Sequence, residues 1–115
     1  MAKARVLVVD DEKSMRDLLS ITLEKEGYDV AAAAGGEPAI EMLHRDSVDV
    51  VITDLRMPKV DGLQVLRAAK DISPDIAVIM ITAVASTESA VEAMKLGAYD
   101  YITTCPTRRS STRST

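Results

Sequence analysis

Short β-branched runs alternate along this chain with stretches whose apolar residues recur every three or four positions. Val6-Leu7-Val8-Val9 is a continuous apolar run, the pattern of a strand buried on both faces of a parallel sheet. Met15, Leu18, Leu19, Thr22 and Leu23 then follow at helical spacing, and Gly27 is placed to end that helix as its C′ residue. A second strand over Asp29–Ala33 precedes Gly35-Gly36 and a helix over Glu37–Arg45, with Pro38 in its tolerated first turn and Ile40, Met42 and Leu43 available for packing. Val48–Thr53 reads as the third strand, and Leu63, Val65, Leu66 and Ala69 mark a third helix that stops before Ser73-Pro74. Ile76–Thr82 is the fourth strand, Thr87–Leu96 a helix with Ala90, Val91 and Met94 on one side, and Tyr99–Thr103 the fifth strand after Gly97.

Alternation of this kind predicts an α/β fold: a doubly wound, five-stranded parallel sheet with helices on both faces, joined by right-handed crossovers. A fifth helix is expected after the last strand to cover the remaining sheet face. Thr103–Thr115 holds no aliphatic residue and is dominated by Ser, Thr and Arg, so that helix is missing or replaced. Four aliphatic side chains buried by such a helix are worth roughly 6–12 kcal/mol, comparable to the stability of a whole domain. One face beside the first helix is therefore expected to be bare, and self-association is the expected remedy.

The acids change the picture by where they stand. Asp10-Asp11 follow the first strand, Asp54 follows the third, and Thr82 ends the fourth. In open α/β sheets, sites form beyond the carboxyl ends of the strands where strand order reverses; with order 2-1-3-4-5 that point lies between strands one and three. Any one such acid is ordinary loop solvation or a helix cap, but three at specific strand ends form a set. Three gathered carboxylates repel one another and call for a compensating charge or a raised pKa. All-oxygen donors with no nearby His or Cys favour a hard cation, Mg²⁺ above all; the lone His44 lies on the second helix, away from the set. A carboxylate can also be a nucleophile towards phosphorus, and Asp54, alone at its strand end, is the best candidate acceptor. Thr82 can donate its hydroxyl to a phosphoryl oxygen, although a threonine ending a strand is unremarkable by itself.

Composition narrows the class. At 115 residues the chain is the size of one domain, and with Phe and Trp absent its core has to be aliphatic. The single cysteine, Cys105, excludes an internal disulfide and fits a reducing compartment. The longest apolar run, Ile76–Ile81, is far short of the roughly 18 residues a membrane helix needs. The N-terminal Met-Ala-Lys-Ala-Arg leads straight into strand, so a cytoplasmic protein without a membrane anchor is expected. Three of the 14 basic residues, Arg108, Arg109 and Arg113, lie in the last nine positions and no acid follows Asp100; residues 1–106 thus hold 11 bases against 18 acids, a net −7. A body so acidic suits a cation or basic partner, not direct nucleic-acid binding.

Val8-Val9-Asp10-Asp11-Glu12, Asp54-Leu55-Arg56-Met57-Pro58-Lys59-Val60-Asp61-Gly62, Ile81-Thr82-Ala83 and Gly97-Ala98-Tyr99-Asp100-Tyr101 together resemble the receiver domains of two-component response regulators. The likeness covers about residues 4–103, and Glu92–Tyr101 looks most like the NtrC-type transcriptional activators. The resemblance implies a flavodoxin-like receiver domain over residues 1–103 and a phosphoryl group passed to Asp54 from a phosphohistidine on a sensor histidine kinase. It implies Mg²⁺ held directly by Asp11 and Asp54, mainly through water by Asp10, and by the backbone carbonyl of Arg56. Thr82 and Tyr101 would form the switch pair, and Pro58 and Gly62 would shape the loop beside the acceptor. Tyr101 alone reads as a sheet-edge packing residue, so its switch role rests on the likeness. The domain would assist its own phosphotransfer rather than act as an enzyme on a separate substrate, and ATPase and DNA-binding output domains would belong to the full-length protein.

The pattern breaks at one position. Receivers carry a lysine after the fifth strand; here the run is Thr103-Thr104-Cys105-Pro106, with Thr104 in its place. A phosphorylated, Mg²⁺-loaded site would hold a net charge of about −2, and the absent lysine contact is worth a few kcal/mol before desolvation. Thr107–Thr115 can be back-translated so that a shifted frame encodes an acidic helix start, so a truncation, frameshift or cloning remnant is the expected origin of the atypical 104–115 tail. A pseudo-receiver that serves only as an interaction module is the main alternative. An Asp-nucleophile phosphohydrolase is disfavoured by Arg56 two residues after Asp54, and a flavin carrier by Asp10-Asp11-Glu12 where a phosphate-cradling loop would stand.

Overall fold

The computed structural model describes residues 4–55, 57, 59–82 and 87–103. In chain order these form β1 (Arg5–Val9), α1 (Lys13–Lys25), β2 (Asp29–Ala33), α2 (Gly36–Arg45), β3 (Val50–Asp54), α3 (Gly62–Ile72), β4 (Ala77–Thr82), α4 (Thr87–Lys95) and β5 (Asp100–Thr103). Every strand pairing is parallel and the order is β2-β1-β3-β4-β5, as the alternation implied. β3 begins at Val50 instead of Val48 and β4 at Ala77 instead of Ile76. Val48 and Ile76 are buried all the same; they belong to the core but precede the ladder, so hydrophobicity runs past the strand ends. Arg56, Pro58 and residues 104–115, and with them the expected carbonyl ligand, the Thr104 position and the tail, lie outside the described residues.

Alternate residues of each central strand feed opposite faces of the sheet. Leu7 and Val9 of β1, Val51 of β3 and Val78 and Met80 of β4 join Ala39 and Leu43 of α2, Val65, Leu66 and Ala69 of α3 and Ala93 of α4 in one large core. On the other face Val6, Val8 and Ile52 are buried against half-buried Leu19 and Leu23 of α1, with Ile79 and Ile81 at the margin. This second core is thin. No residue of the thirteen-residue α1 is buried, and Leu18 and Ile21 stand 60% and 53% exposed. Leu18 and Thr22 thus do not pack as their spacing suggested, because the helix packs on this core through Leu19 and Leu23. α4 is also turned differently from the expected packing: Ala93 faces the sheet, while Val91 and Met94 face solvent. A nine-residue helix laid close to the sheet puts its smallest apolar side chain in the contact. No described helix is long and apolar enough to cross a membrane.

Two kinds of glycine contact hold the frame. Gly27 and Gly97 follow α1 and α4 at φ +96° and +101°, the left-handed region in which an L side chain is strained. Gly62 opens α3 where the helix passes beneath the end of β3. A Cβ there would strike the Asp54 carbonyl oxygen and come 2.9 Å from Leu55 Cα and 2.8 Å from Met80 Cε. Two of those three neighbours are backbone atoms and cannot turn aside. Gly62→Ala is therefore expected to cost about 1–3 kcal/mol, read as a lower urea midpoint at unchanged slope.

Candidate functional site at the carboxyl rim of the sheet

Register decides what meets at the rim. β1 pairs with β3 as Val9 against Thr53, and β3 with β4 as Asp54 against Ile81. Asp10, Asp54 and Thr82 consequently leave adjacent strands at nearly the same height. Together with Asp11, Glu12, Met15 and Ile81 they line an open pocket of about 400 Å³. Asp10, Asp11 and Asp54 each offer a carboxylate oxygen, and the three oxygens lie within 4.8 Å of one another. Asp10 is buried, Asp54 half-buried and Asp11 exposed, so the cluster opens outward through Asp11. An all-carboxylate set of this spacing fits a hard divalent cation and offers nothing to a soft one.

Local structure sets each side chain. Asp10 N donates to Ala33 O of β2 (3.2 Å), its Oδ1 accepts from Glu12 N (2.9 Å) and its carbonyl accepts from Arg16 Nη1 (2.8 Å). Asp54 closes β3, and the loop that follows returns through buried Met57 and exposed Lys59, the latter with a left-handed φ of 67°. Asp61 then caps α3: its side chain accepts from Gln64 N and its own N donates to Gln64 Oε1, both at 3.1 Å. Gly62 N donates to Leu55 O at 2.9 Å, tying the helix start to the residue after Asp54. Thr82 is buried, with only 2% of its surface exposed.

The structure therefore gathers Asp10, Asp11, Asp54 and Thr82 in one pocket and leaves Tyr101 outside its lining. Tyr101 pairs with Met80 in the sheet and packs half-buried against the larger core. Its hydroxyl is buried with no hydrogen-bond partner among the described residues. Several contributors escaped the sequence reading. The Asp61–Gln64 capping box was available in the pattern Asp-x-x-Gln. Met15 and Ile81, the apolar flanks of the pocket, read only as core, and nothing in the pattern marked Arg16.

Burial pushes the Asp10 carboxyl above its ordinary value of 3.8; the Glu12 amide opposes this, the Asp11 and Glu12 charges add to it, and Arg16 draws it back. A folded pKa above the unfolded one means that the proton stabilises the fold. That contribution is complete below about 3.8 and is lost as pH rises through the folded value. Without divalent cations, Asp10→Asn is expected to unfold at a higher temperature than the wild type at neutral pH. The gap should close as the pH falls towards 3.8, a trend that calorimetry across the range checks.

Comparison with known proteins agrees with this layout. Residues 6–109 match the response regulator receiver domain. The transcriptional regulatory protein ZraR of Escherichia coli K12 is 42% identical over 97 residues, 84% of this chain and 22% of ZraR. A response regulator receiver domain protein (CheY-like) from Methanospirillum hungatei JF-1 superposes with a TM-score of 0.87 at 30% identity, covering 93% of this chain and 85% of that one. A response regulator protein from Burkholderia pseudomallei, solved with a phosphorylated aspartic acid, calcium ion and citrate, gives a TM-score of 0.84 at 28% identity, covering 92% of this chain and 62% of the other. The chain spans less than half the length of the curated relatives it matches. The family match takes in all five strands and every acid of the rim, and the chain accordingly belongs to the receiver domains of two-component response regulators.

Proposed function

We propose that this chain is the phosphoacceptor domain of a cytoplasmic, NtrC-type response regulator, taking a phosphoryl group on Asp54 from a sensor histidine kinase and relaying the change to ATPase and DNA-binding output domains. The observation that carries this is the meeting of Asp10, Asp11 and Asp54 within 4.8 Å at the rim of a receiver fold. In the step itself an Asp54 carboxylate oxygen attacks phosphorus and a P–O bond forms. The P–N bond to the kinase histidine breaks, and its electron pair leaves with the imidazole. Asp10, Asp11 and Asp54 would hold Mg²⁺, with the Arg56 carbonyl as a further ligand. When bound, the ion supplies charge neutralisation for the incoming phosphoryl oxygens. The buried Thr82 hydroxyl, in the same pocket, would donate to one of those oxygens, and Tyr101 would move with Thr82 as the switch pair. The domain is an acceptor that assists its own phosphorylation, not a turnover enzyme. The phosphorylated aspartic acid in the Burkholderia pseudomallei relative supports the reading.

Thr104, where receivers carry lysine, favours a second reading: a receiver-shaped interaction module that takes no phosphoryl group. Intact-mass measurement after acetyl phosphate and Mg²⁺ separates the two. One phosphoryl adduct is expected on the wild type, forming more slowly than on Thr104→Lys, and none on Asp54→Asn. Adduct on Thr104→Lys alone would make the chain an interaction module, and adduct on neither would end the phosphoacceptor reading.

The thin core beside α1 supports self-association as well. Leu18, Ile21 and Ile102 are 60%, 53% and 42% exposed, and residues 104–115 contain no aliphatic side chain to lie over them. Sedimentation velocity over a concentration series is expected to report a dimer that Ile21→Glu returns to monomer; a strictly monomeric wild type at high concentration would remove this part of the reading.

A further inference from the structure

The turn that carries Asp10 and Asp11 lacks the usual local stay. The residue before α1 is Glu12, and it makes no side-chain cap hydrogen bond; the first turn of the helix also holds no acid to favour its amide end. Such a turn, flanking a helix without a single buried residue, is held by Asp10 N on Ala33 O and by Glu12 N on Asp10 Oδ1, and neither contact ties it to the body of α1. Arg16 supplies what is missing. Its Nη1 donates to the Asp10 carbonyl at 2.8 Å, tying the start of the turn to the first turn of α1, where the Arg16 backbone N makes the ordinary helical bond to Glu12 O at 3.1 Å. Glu12 N in turn donates to Asp10 Oδ1 at 2.9 Å, so a turn held by Arg16 is also a turn that aims the Asp10 carboxylate. Arg16 does not line the pocket, and its printed contact is to the Asp10 main-chain carbonyl. A guanidinium suits this role because its planar fork loses little freedom on making such a contact.

We propose that Arg16 is a positioning residue for the acidic rim: by bracing the β1–α1 turn through the Asp10 carbonyl it keeps the Asp10 and Asp11 carboxylates aimed at Asp54, and so sets the affinity of the rim for a divalent cation. The inference rests on the metal reading given above, and charge alone argues for the opposite sign. Removing a positive charge beside three carboxylates would tighten cation binding, whereas removing a brace weakens it. Groups that orient metal ligands typically shift affinity by about tenfold or more.

Mg²⁺ titration of the full chain by calorimetry, with amide hydrogen exchange of the metal-free protein, decides between the two signs. Arg16→Gln is expected to weaken Mg²⁺ binding about tenfold, Arg16→Lys to recover part of the loss, and the Glu12 amide to exchange faster while the amides of Val51 and Val78 keep their rates. If Arg16→Gln does not fold, Arg16→Met, which keeps the apolar stem, takes its place. Wild-type or tighter Mg²⁺ binding in the neutral variant would overturn the positioning role and leave the metal reading standing. No Mg²⁺ binding by the wild type would overturn the metal reading and this inference with it.

Discussion

The pairing of Val9 with Thr53 across β1 and β3 is the constraint on which the functional rim depends. Because the strands are parallel and their order reverses there, the residues after each strand emerge side by side with no helix crossing between them. A register shift of one residue would turn Asp54 to the opposite face and disperse the acids. That register is secured from below, since Val6, Leu7, Val8 and Val51 are all buried and have no alternative position of equal burial.

The same gathering carries an electrostatic cost. Three carboxylate oxygens within 4.8 Å would relax apart if their backbones could move. They are held from two sides. On one, β3 is locked to α3 through Gly62, whose lack of a side chain lets the helix start lie against the Asp54 carbonyl, and through the Asp61–Gln64 box that fixes that start. On the other, the β1–α1 turn is tied to β2 by Asp10 N and to α1 by Arg16. The gathered acids are thus held by supports that lie in different elements.

Much of this is legible in the sequence. Continuous apolar runs such as Val6–Val9 declare a parallel sheet, and the strand-end positions of Asp10, Asp11, Asp54 and Thr82 follow from topology alone. Helix orientation was less legible. The spacing of Leu18, Val91 and Met94 implied burial, yet all three face solvent, because periodicity says which residues share a stripe and not which stripe meets the sheet. Arg16 was invisible for a different reason: its contact is to a main-chain carbonyl six residues back, and backbone acceptors leave no mark in side-chain patterns.

α1 brings a consequence of its own. A helix anchored by half-buried Leu19 and Leu23, on a face whose core contains three buried residues, has little apolar burial to oppose its local opening. It also follows directly on the turn that carries Asp10 and Asp11. Fraying and cation capture are then opposed events on one segment, so an ion lodged at the rim would act at a distance as a clasp for this shallowly seated helix.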